Sequence, residues 1–389
     1  MKILLVSAFF YPHTGGSEMY AEELFSRMAT DHKKVSVDVL AYNTNHAISE
    51  ESHNALHIHR VSCFSIVKDQ YYIANPFSLI RKLLSLRKNN YDIVVTQTRF
   101  FEPTLWVWLY AQLIGAKSLF IGHGTGFVSH KNPLIRGLSW FVDKTIAAFS
   151  VKRYTKRIVI SKATQDFFVK SLNVTDTQVI FGGINTYQFG NAVTASPYLS
   201  KLNLEPHTTV ITYTGRLIEA KGIYELVQAI IKVKTTDPTK PIHLVIAGTG
   251  PEEDKLQTYI REQSSSEYIT LLGAIPYSEI PQLLSNSTIF VNPSYNEGLP
   301  RSVMEAGASG ISVIATDVGS TYEILSTYGY LIEPHNVEQI SNAILAIINN
   351  PTRELNRAKE HKKYVQDTFD WTVISNRIFQ VLNDIMGTP

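Results

Sequence analysis

Short apolar runs alternate with amphipathic helical stretches along the whole chain, and this alternation limits the fold more than any single motif. It is the pattern of parallel α/β architecture, in which each strand is followed by a helix that crosses back over the sheet. In the first half, strands are expected at residues 3–7, 35–40, 93–97, 118–122, 157–161 and 178–181. In the second half they are expected at 209–214, 243–247, 269–272, 288–292, 312–316 and 330–332. Each set makes a complete doubly wound unit. The poorly periodic, turn-rich stretch from 187 to 206 reads as a linker. Two Rossmann-like domains follow, 1–190 and 191–370, with a final amphipathic helix in 371–389 that can pack back on the first. Ligands of open α/β sheets bind beyond the carboxyl ends of the strands, so the expected site is a cleft between the two domains.

Composition sets outer limits. A chain of 389 residues has room for about two domains with sizeable cores. A net charge of +2 gives no general attraction to nucleic acid. The single cysteine, Cys63, excludes an internal disulfide and suits a reducing compartment. Met1-Lys2 leads straight into an apolar run too short for a signal-peptide core. No apolar run reaches the roughly 18–20 residues that span a bilayer, so a soluble or peripheral protein is expected.

The densest chemistry lies between Asn292 and Glu305. Glu297 falls in a loop after an apolar strand, and Glu305 falls inside the next helix. Pro300 suits the first helical turn, where a missing N–H costs nothing. A strand-to-helix junction is an anion site, because unpaired N–H groups point outward there. Two carboxylates at such a site suit a ligand whose phosphates are flanked by hydroxyl-rich groups, since carboxylates accept hydrogen bonds well from diols. A sugar nucleotide has that layout.

Three other groups also follow predicted strands. Gly15-Gly16-Ser17-Glu18 can bring backbone close to a phosphate, or can simply make a turn. Arg216 and Lys221, in Gly215-Arg216…Lys221-Gly222, straddle a strand-to-helix turn and can neutralise a diphosphate leaving group; a solvated loop is the plainer alternative. His123, between Gly122 and Gly124, can face a sugar hydroxyl or a cationic transition state, or can be a structural histidine. Glu323 opens another helix and can merely answer its dipole. No metal-ligand spacing stands out, and His53, His57 and His59 read as part of a solvated loop.

With these residues in hand, the chain resembles the retaining glycosyltransferases of family 4 (group 1), which have the GT-B fold. The resemblance spans essentially the whole length. It rests on Gly15-Gly16-Ser17-Glu18, His123, Ser161-Lys162-Ala163-Thr164, Gly182-Gly183-Ile184-Asn185, Gly215-Arg216…Lys221-Gly222, and Glu297 with Glu305, followed by Gly310 and Gly319. It implies that Gly16, with Gly15 beside it, approaches the donor diphosphate, that Arg216 and Lys221 contact it, and that Glu305 holds the ribose. It further implies that Glu297 faces the donor sugar, that the backbones of Gly298, Leu299, Arg301 and Ser302 serve sugar and phosphate, and that Ile275 serves the base. His123 would lie beside the transferred sugar, so His123, Arg216, Lys221 and Glu297 are the candidate catalytic residues. Pro300 stands where many relatives have glycine, and Ser320 where a second glycine is common. The implied reaction moves a hexose from a UDP- or GDP-linked donor to a hydroxyl acceptor with retention, without cofactor or bound metal.

The acceptor is addressed by the segment from Pro76 to Lys88, an amphipathic helix with Phe77, Ile80, Leu83 and Leu84 on one face and Arg81, Lys82, Arg87 and Lys88 around it. That composition suits an anionic membrane surface, or is simply the inward-apolar, outward-basic pattern of a Rossmann helix. The expectation is a glycan or lipid-linked acceptor and a cytoplasmic enzyme, peripheral on the inner face of the membrane. Two rival functions are a sugar-nucleotide epimerase of GT-B fold and a catalytically silent sugar-nucleotide-binding subunit.

Overall fold

A computed structural model of the chain describes residues 1–13, 15–67, 71–127, 133–192 and 195–387. It divides into two compact units, Met1–Gly183 with Trp371–Pro389, and Ile184–Asp370.

The first unit contains β1 (Lys2–Ser7), β2 (Ser36–Tyr42), β3 (Glu50–His53), β4 (Leu56–Val61), β5 (Cys63–Val67), β6 (Tyr71–Ala74), β7 (Ile93–Gln97), β8 (Lys117–Gly122), β9 (Lys156–Val159) and β10 (Gln178–Val179). Eight of them form one sheet in the order β10-β9-β8-β7-β1-β2-β4-β3, while β5 and β6 pair separately. All pairings in the large sheet are parallel except β3 with β4. Every residue of β7 is buried, as expected of a parallel strand covered on both faces. The helices are α1 (Gly16–Asp31), α2 (Pro76–Leu86), α3 (Pro103–Ile114), α4 (Pro133–Val142), α5 (Ala148–Arg153) and α6 (Lys162–Leu172). A π-helical segment, Asp143–Ala147, joins α4 to α5. One apolar core joins α1 and the C-terminal segment to the sheet; the other contains residues of α2, α3, α5 and α6.

The second unit contains β11 (Thr209–Thr214), β12 (Ile242–Ala247), β13 (Ile269–Gly273), β14 (Ile289–Asn292), β15 (Ser312–Thr316) and β16 (Tyr330–Ile332), in the order β13-β12-β11-β14-β15-β16. All its pairings are parallel. Its helices are α7 (Thr186–Gly190), α8 (Ile223–Thr236), α9 (Glu253–Glu262), α10 (Ile280–Ser285), α11 (Arg301–Ser309), α12 (Thr321–Leu325), α13 (Val337–Asn349) and α14 (Pro351–Phe369). In both sheets the strand order reverses about the first strand, between β1 and β7 and between β11 and β14. Those are the switch points at which open α/β sheets bind ligands.

All twelve expected strands form, with no end shifted by more than two residues. The boundary near 190 moves to Gly183/Ile184, because Ile184 N–H donates to Phe369 O at 2.9 Å and the Thr186 hydroxyl to Asp370 Oδ2 at 2.5 Å. Those bonds tie α7 to the second unit. Of the expected linker, residues 193 and 194 lie outside the described residues. His53, His57 and His59 are not on a loop: they belong to the β3–β4 hairpin, whose two-residue turn puts Asn54 and Ala55 at φ 48° and 63°. The alternating Leu56 and Ile58 were the strand signal, concealed by the histidines between and after them.

The last helix, α15 (Trp371–Met386), belongs to the first unit and packs on α1. Its Trp371 is 2% exposed, meets the edge of Tyr20 at 5.4 Å, and lies so close to Gly183 that an added Cβ would be 2.7 Å from the indole. Trp371→Ala should therefore cost about 3–5 kcal/mol, read as a lower denaturant midpoint for the first unit. A loss below about 1 kcal/mol would show that the helix contributes little to this core.

Candidate active site

In the second unit the loops after β11 and β14 flank the switch point, and the sequence-predicted groups sit on them. The β11 loop carries Arg216 and Lys221 and packs against the β14 loop through backbone. Tyr295 N–H donates to Ala220 O at 2.9 Å. Gly222, at φ 64°, approaches so closely that a Cβ there would be 2.1 Å from Pro293 O. Only glycine meets both demands.

That packing brings Lys221 Nζ to 2.6 Å from Glu297 Oε1. Asn292 Nδ2 donates to the same oxygen at 3.4 Å, and Ser294 Oγ orients Asn292 through its Oδ1 at 2.6 Å. Both members of the ion pair are mostly shielded, so the contact is worth more than the roughly 0–1 kcal/mol of an exposed pair. Tyr213, buried beneath, donates to Arg216 O at 3.0 Å; burial first, and then the Glu297 charge, raises its phenol well above the ordinary range. The Arg216 side chain is exposed and makes no ion pair among the described residues.

Glu305 is buried one helical turn inside α11, and burial raises its carboxyl above the ordinary value, opposed by Arg301 and Tyr277. Tyr277 donates to Glu305 Oε1 at 2.8 Å, Arg301 Nη2 donates to Tyr277 Oη at 3.2 Å, and Arg301 Nε lies 4.0 Å from Glu305 Oε1. The helix starts after Pro300 without a side-chain cap, which leaves the first-turn N–H groups of Arg301 and Ser302 without intrahelical partners. Gly319, at φ 60°, supports the Glu297-Gly298-Leu299 turn from behind: a Cβ there would be 2.0 Å from Glu297 O, and Ser320 N–H donates to Gly298 O at 2.9 Å. Ile275 follows β13 and lies half-buried on a small apolar cluster of its own. Glu323 sits in the first turn of α12. Tyr277, in the short turn after β13, is not marked in the sequence, and Asn292 is marked there only as the start of the Asn292–Glu305 segment.

In the first unit, the β1 loop leads into α1 through Gly15 and Gly16. A Cβ on Gly15 would be 2.2 Å from Glu18 Oε2 and would make that side chain shift, whereas nothing among the described residues lies within 4 Å of a Cβ on Gly16. Glu18 is buried, accepts from Ser17 Oγ at 3.1 Å and lies 3.8 Å from His13 Nδ1. His123 follows β8 and meets the Tyr20 ring edge-on at 4.7 Å. The residue is partly exposed, yet its Nε2 is wholly enclosed and lacks a hydrogen-bond partner among the described residues, as does the Tyr20 hydroxyl. Burial pushes the imidazole down to about 3, so the ring is neutral at ordinary pH and suits a hydrogen-bonding role better than a cationic one.

Elsewhere, Glu50, His57 and His59 place one ligand atom each within 4.8 Å of one another, a convergence that the spacing alone did not reveal. Lys82 Nζ, at 2.6 Å from Glu50 Oε1, occupies that carboxylate.

Two family models match in tandem: Glycosyltransferase Family 4 over residues 14–188, and Glycosyl transferases group 1 over 198–367. The chain belongs to these glycosyltransferases. An uncharacterised glycosyltransferase of Methanocaldococcus jannaschii is 24% identical over 380 residues, 95% of each chain. A UDP-Gal:alpha-D-GlcNAc-diphosphoundecaprenol alpha-1,3-galactosyltransferase of Escherichia coli is 25% identical over 74% of this chain and 72% of its own. A crystal structure of Anabaena HepE in complex with UDP superposes with a TM-score of 0.78 at 18% identity, covering 99% of this chain and 100% of the other. The glycosyltransferase has the GT-B fold, built from two Rossmann-like domains.

The pH response of stability tests the His123 environment. Its folded value lies below the unfolded one of 6.5, so the unfolded chain binds the extra proton. Stability present above pH 6.5 is thus lost as pH falls toward about 3, by at most about 1.4 kcal/mol per pH unit. His123→Asn should flatten that part of the acid limb. Parallel declines of wild type and variant in pH-dependent unfolding would show that the ring is not enclosed.

Proposed function

We propose that this glycosyltransferase is a retaining hexosyltransferase using a UDP- or GDP-linked sugar and a hydroxyl acceptor, in cell-surface polysaccharide or glycolipid synthesis. The Lys221–Glu297 contact at the β11/β14 switch point carries the reading. It sets a cation for diphosphate directly beside a carboxylate for sugar hydroxyls. Arg216, uncommitted to any carboxylate among the described residues, is the second cation. Together the two supply the charge that a divalent metal supplies elsewhere, so the reaction runs without one. Glu305, with Tyr277, holds the ribose diol, and the N–H groups of Arg301 and Ser302 receive phosphate and sugar oxygens.

In the proposed step the bond from the anomeric carbon to the donor phosphate breaks, and the acceptor oxygen bonds to the same face of that carbon. The acceptor proton passes to the departing phosphate oxygen. Neutral His123 hydrogen-bonds a hydroxyl of the transferred sugar. Arg216→Ala should leave the melting temperature nearly unchanged and lower kcat for transfer by about 10²–10³-fold. The checks are product formation with a panel of sugar nucleotides, the anomeric configuration of the product by NMR, and activity in EDTA. Inverted product, or an Arg216→Ala variant as fast as wild type, defeats the mechanism. Donor interconversion without any acceptor would instead favour an epimerase.

The acceptor we propose is lipid-linked, reached from an anionic membrane surface. Three neighbouring helical segments of the first unit, tied by Tyr110 Oη to Leu83 O and Ser150 Oγ to Leu105 O, expose large apolar side chains on their outer side. They include Phe77 (86% exposed) on α2, Leu113 (68%) on α3 and Leu134 (81%) and Leu138 (66%) on α4. Cations border them, with Lys144 over the Trp140 ring at 5.0 Å and Arg153 over Phe149 at 4.7 Å. This combination of apolar anchors and basic residues fits a membrane interface. Among the described residues no helix is long and apolar enough to cross a membrane. We propose, from the exposed apolar and basic side chains, that the enzyme works as a peripheral protein at the cytoplasmic face. The paired changes Phe77→Glu and Leu138→Glu should abolish flotation with phosphatidylglycerol vesicles while leaving turnover of a water-soluble acceptor unchanged. Undiminished flotation would remove the surface from the proposal.

A further inference from the structure

Arg99 follows β7, at the switch point of the first sheet, and its side chain is only 1% exposed. Arginine is almost never buried so deeply without partners, and here the guanidinium has an ion-pair partner, two backbone carbonyls and two aromatic rings around it, although Nε itself makes no hydrogen bond among the described residues. Nε lies 3.3 Å from Asp143 Oδ2, whose side chain is 3% exposed. Nη1 donates to Gly124 O at 3.3 Å, and Nη2 donates to Gly126 O. Arg99 Cζ lies over the Phe100 and Phe167 rings, at 4.2 and 4.4 Å from their centroids. Burial favours the neutral form of both Arg99 and Asp143, and each charge opposes that for the other.

The partners are informative. Asp143 opens the π-helical segment between α4 and α5, and such rare segments are frequent at functional sites. Gly124 and Gly126 belong to the loop that leaves His123. A Cβ on Gly124 would be 2.7 Å from Arg99 Nη1, so the loop is pressed directly onto the guanidinium. An apolar side chain of similar size would fill the same space without gripping the two carbonyls.

We propose that Arg99 is a positioning residue: with Asp143 balancing its charge, it grips the Gly124–Gly126 backbone and thereby fixes the His123 imidazole for the transferred sugar. This rests on the transferase reading for its consequence, though not for the grip itself. Positioning errors of about 1 Å can cost roughly 100-fold in rate, which gives such a latch catalytic weight.

The test pairs a readout that needs no donor with one that does. The double variant Arg99→Met with Asp143→Leu removes both charges together, so neither is left buried alone. Arg99→Lys keeps the charge but cannot span two carbonyls, and it carries the same comparison if the double variant fails to fold. Amide hydrogen exchange over residues 122–127 should accelerate by about 10-fold or more, with the rest of the chain unchanged. With the best sugar nucleotide, kcat should fall about 10- to 100-fold while the donor KM stays within about threefold. Wild-type exchange and wild-type kcat in a folded variant overturn the proposal, as does a variant that loses stability and donor affinity in equal measure without a fall in kcat. If the wild type turns over no sugar nucleotide at all, the transferase reading fails, while the exchange rates still decide whether Arg99 latches the loop.

Discussion

The contact between Lys221 and Glu297 is the constraint around which the second unit is arranged. A lysine and a glutamate on loops 76 positions apart meet at 2.6 Å only if both loops have one conformation. Gly222 and Gly319 enforce it, each at a positive φ and each pressed against a backbone carbonyl of the Pro293–Gly298 stretch. The ordering entropy of the site is therefore met on folding by backbone packing, not on binding by the ligand. Because Glu297 already accepts from Lys221 and Asn292, a donor sugar bound as proposed would meet a carboxylate whose position is set.

The first unit handles charge in the opposite way. Its loops at the carboxyl ends of β1, β7 and β8 enclose polar groups instead of presenting them. Glu18 is buried beside Ser17 and His13, His123 is held neutral, and the Tyr20 hydroxyl is enclosed. Arg99 has its charge answered within the protein by Asp143 and two carbonyls. Such an environment is costly unless its polar groups are paired, and His123 Nε2, the Tyr20 hydroxyl, Gln97 Oε1, Arg99 Nε and Asp143 Oδ2 are among the enclosed atoms without a hydrogen-bond partner among the described residues.

The strand–helix alternation was legible because parallel strands buried on both faces are apolar throughout, as β7 and β12 are in most of their positions. The β3–β4 hairpin was not, since an edge pair interleaves apolar residues with histidine and glutamate, and composition outweighed the period-two pattern. The domain boundary was displaced because Ile184 and Thr186 bond to Phe369 and Asp370, partners nearly the whole second unit away in sequence. At the site, Gly222 and Lys221 were legible as a local motif, and Glu297 as a loop carboxylate before a helix. That the two side chains touch was not, because it depends on β11 and β14 being neighbours, which no local pattern states. Tyr277 and the Arg99–Asp143 pair were hidden for the same reason.

Arg216 and Lys221, similar in sequence as two cations flanking a turn, are thus physically unequal. Lys221 spends part of its charge on Glu297 and is held in place by it, whereas Arg216 is exposed and its backbone carbonyl is fixed by Tyr213. A cation held by a carboxylate contributes geometry and can answer new negative charge only as far as that carboxylate lets it. A cation on a fixed backbone with a mobile side chain can move toward charge that develops during the reaction, and arginine does so with two parallel donors. Interactions that strengthen only as charge develops are those that accelerate a reaction. In the proposed reaction, on this argument, Lys221 would chiefly place the donor and Arg216 would chiefly stabilise what leaves it.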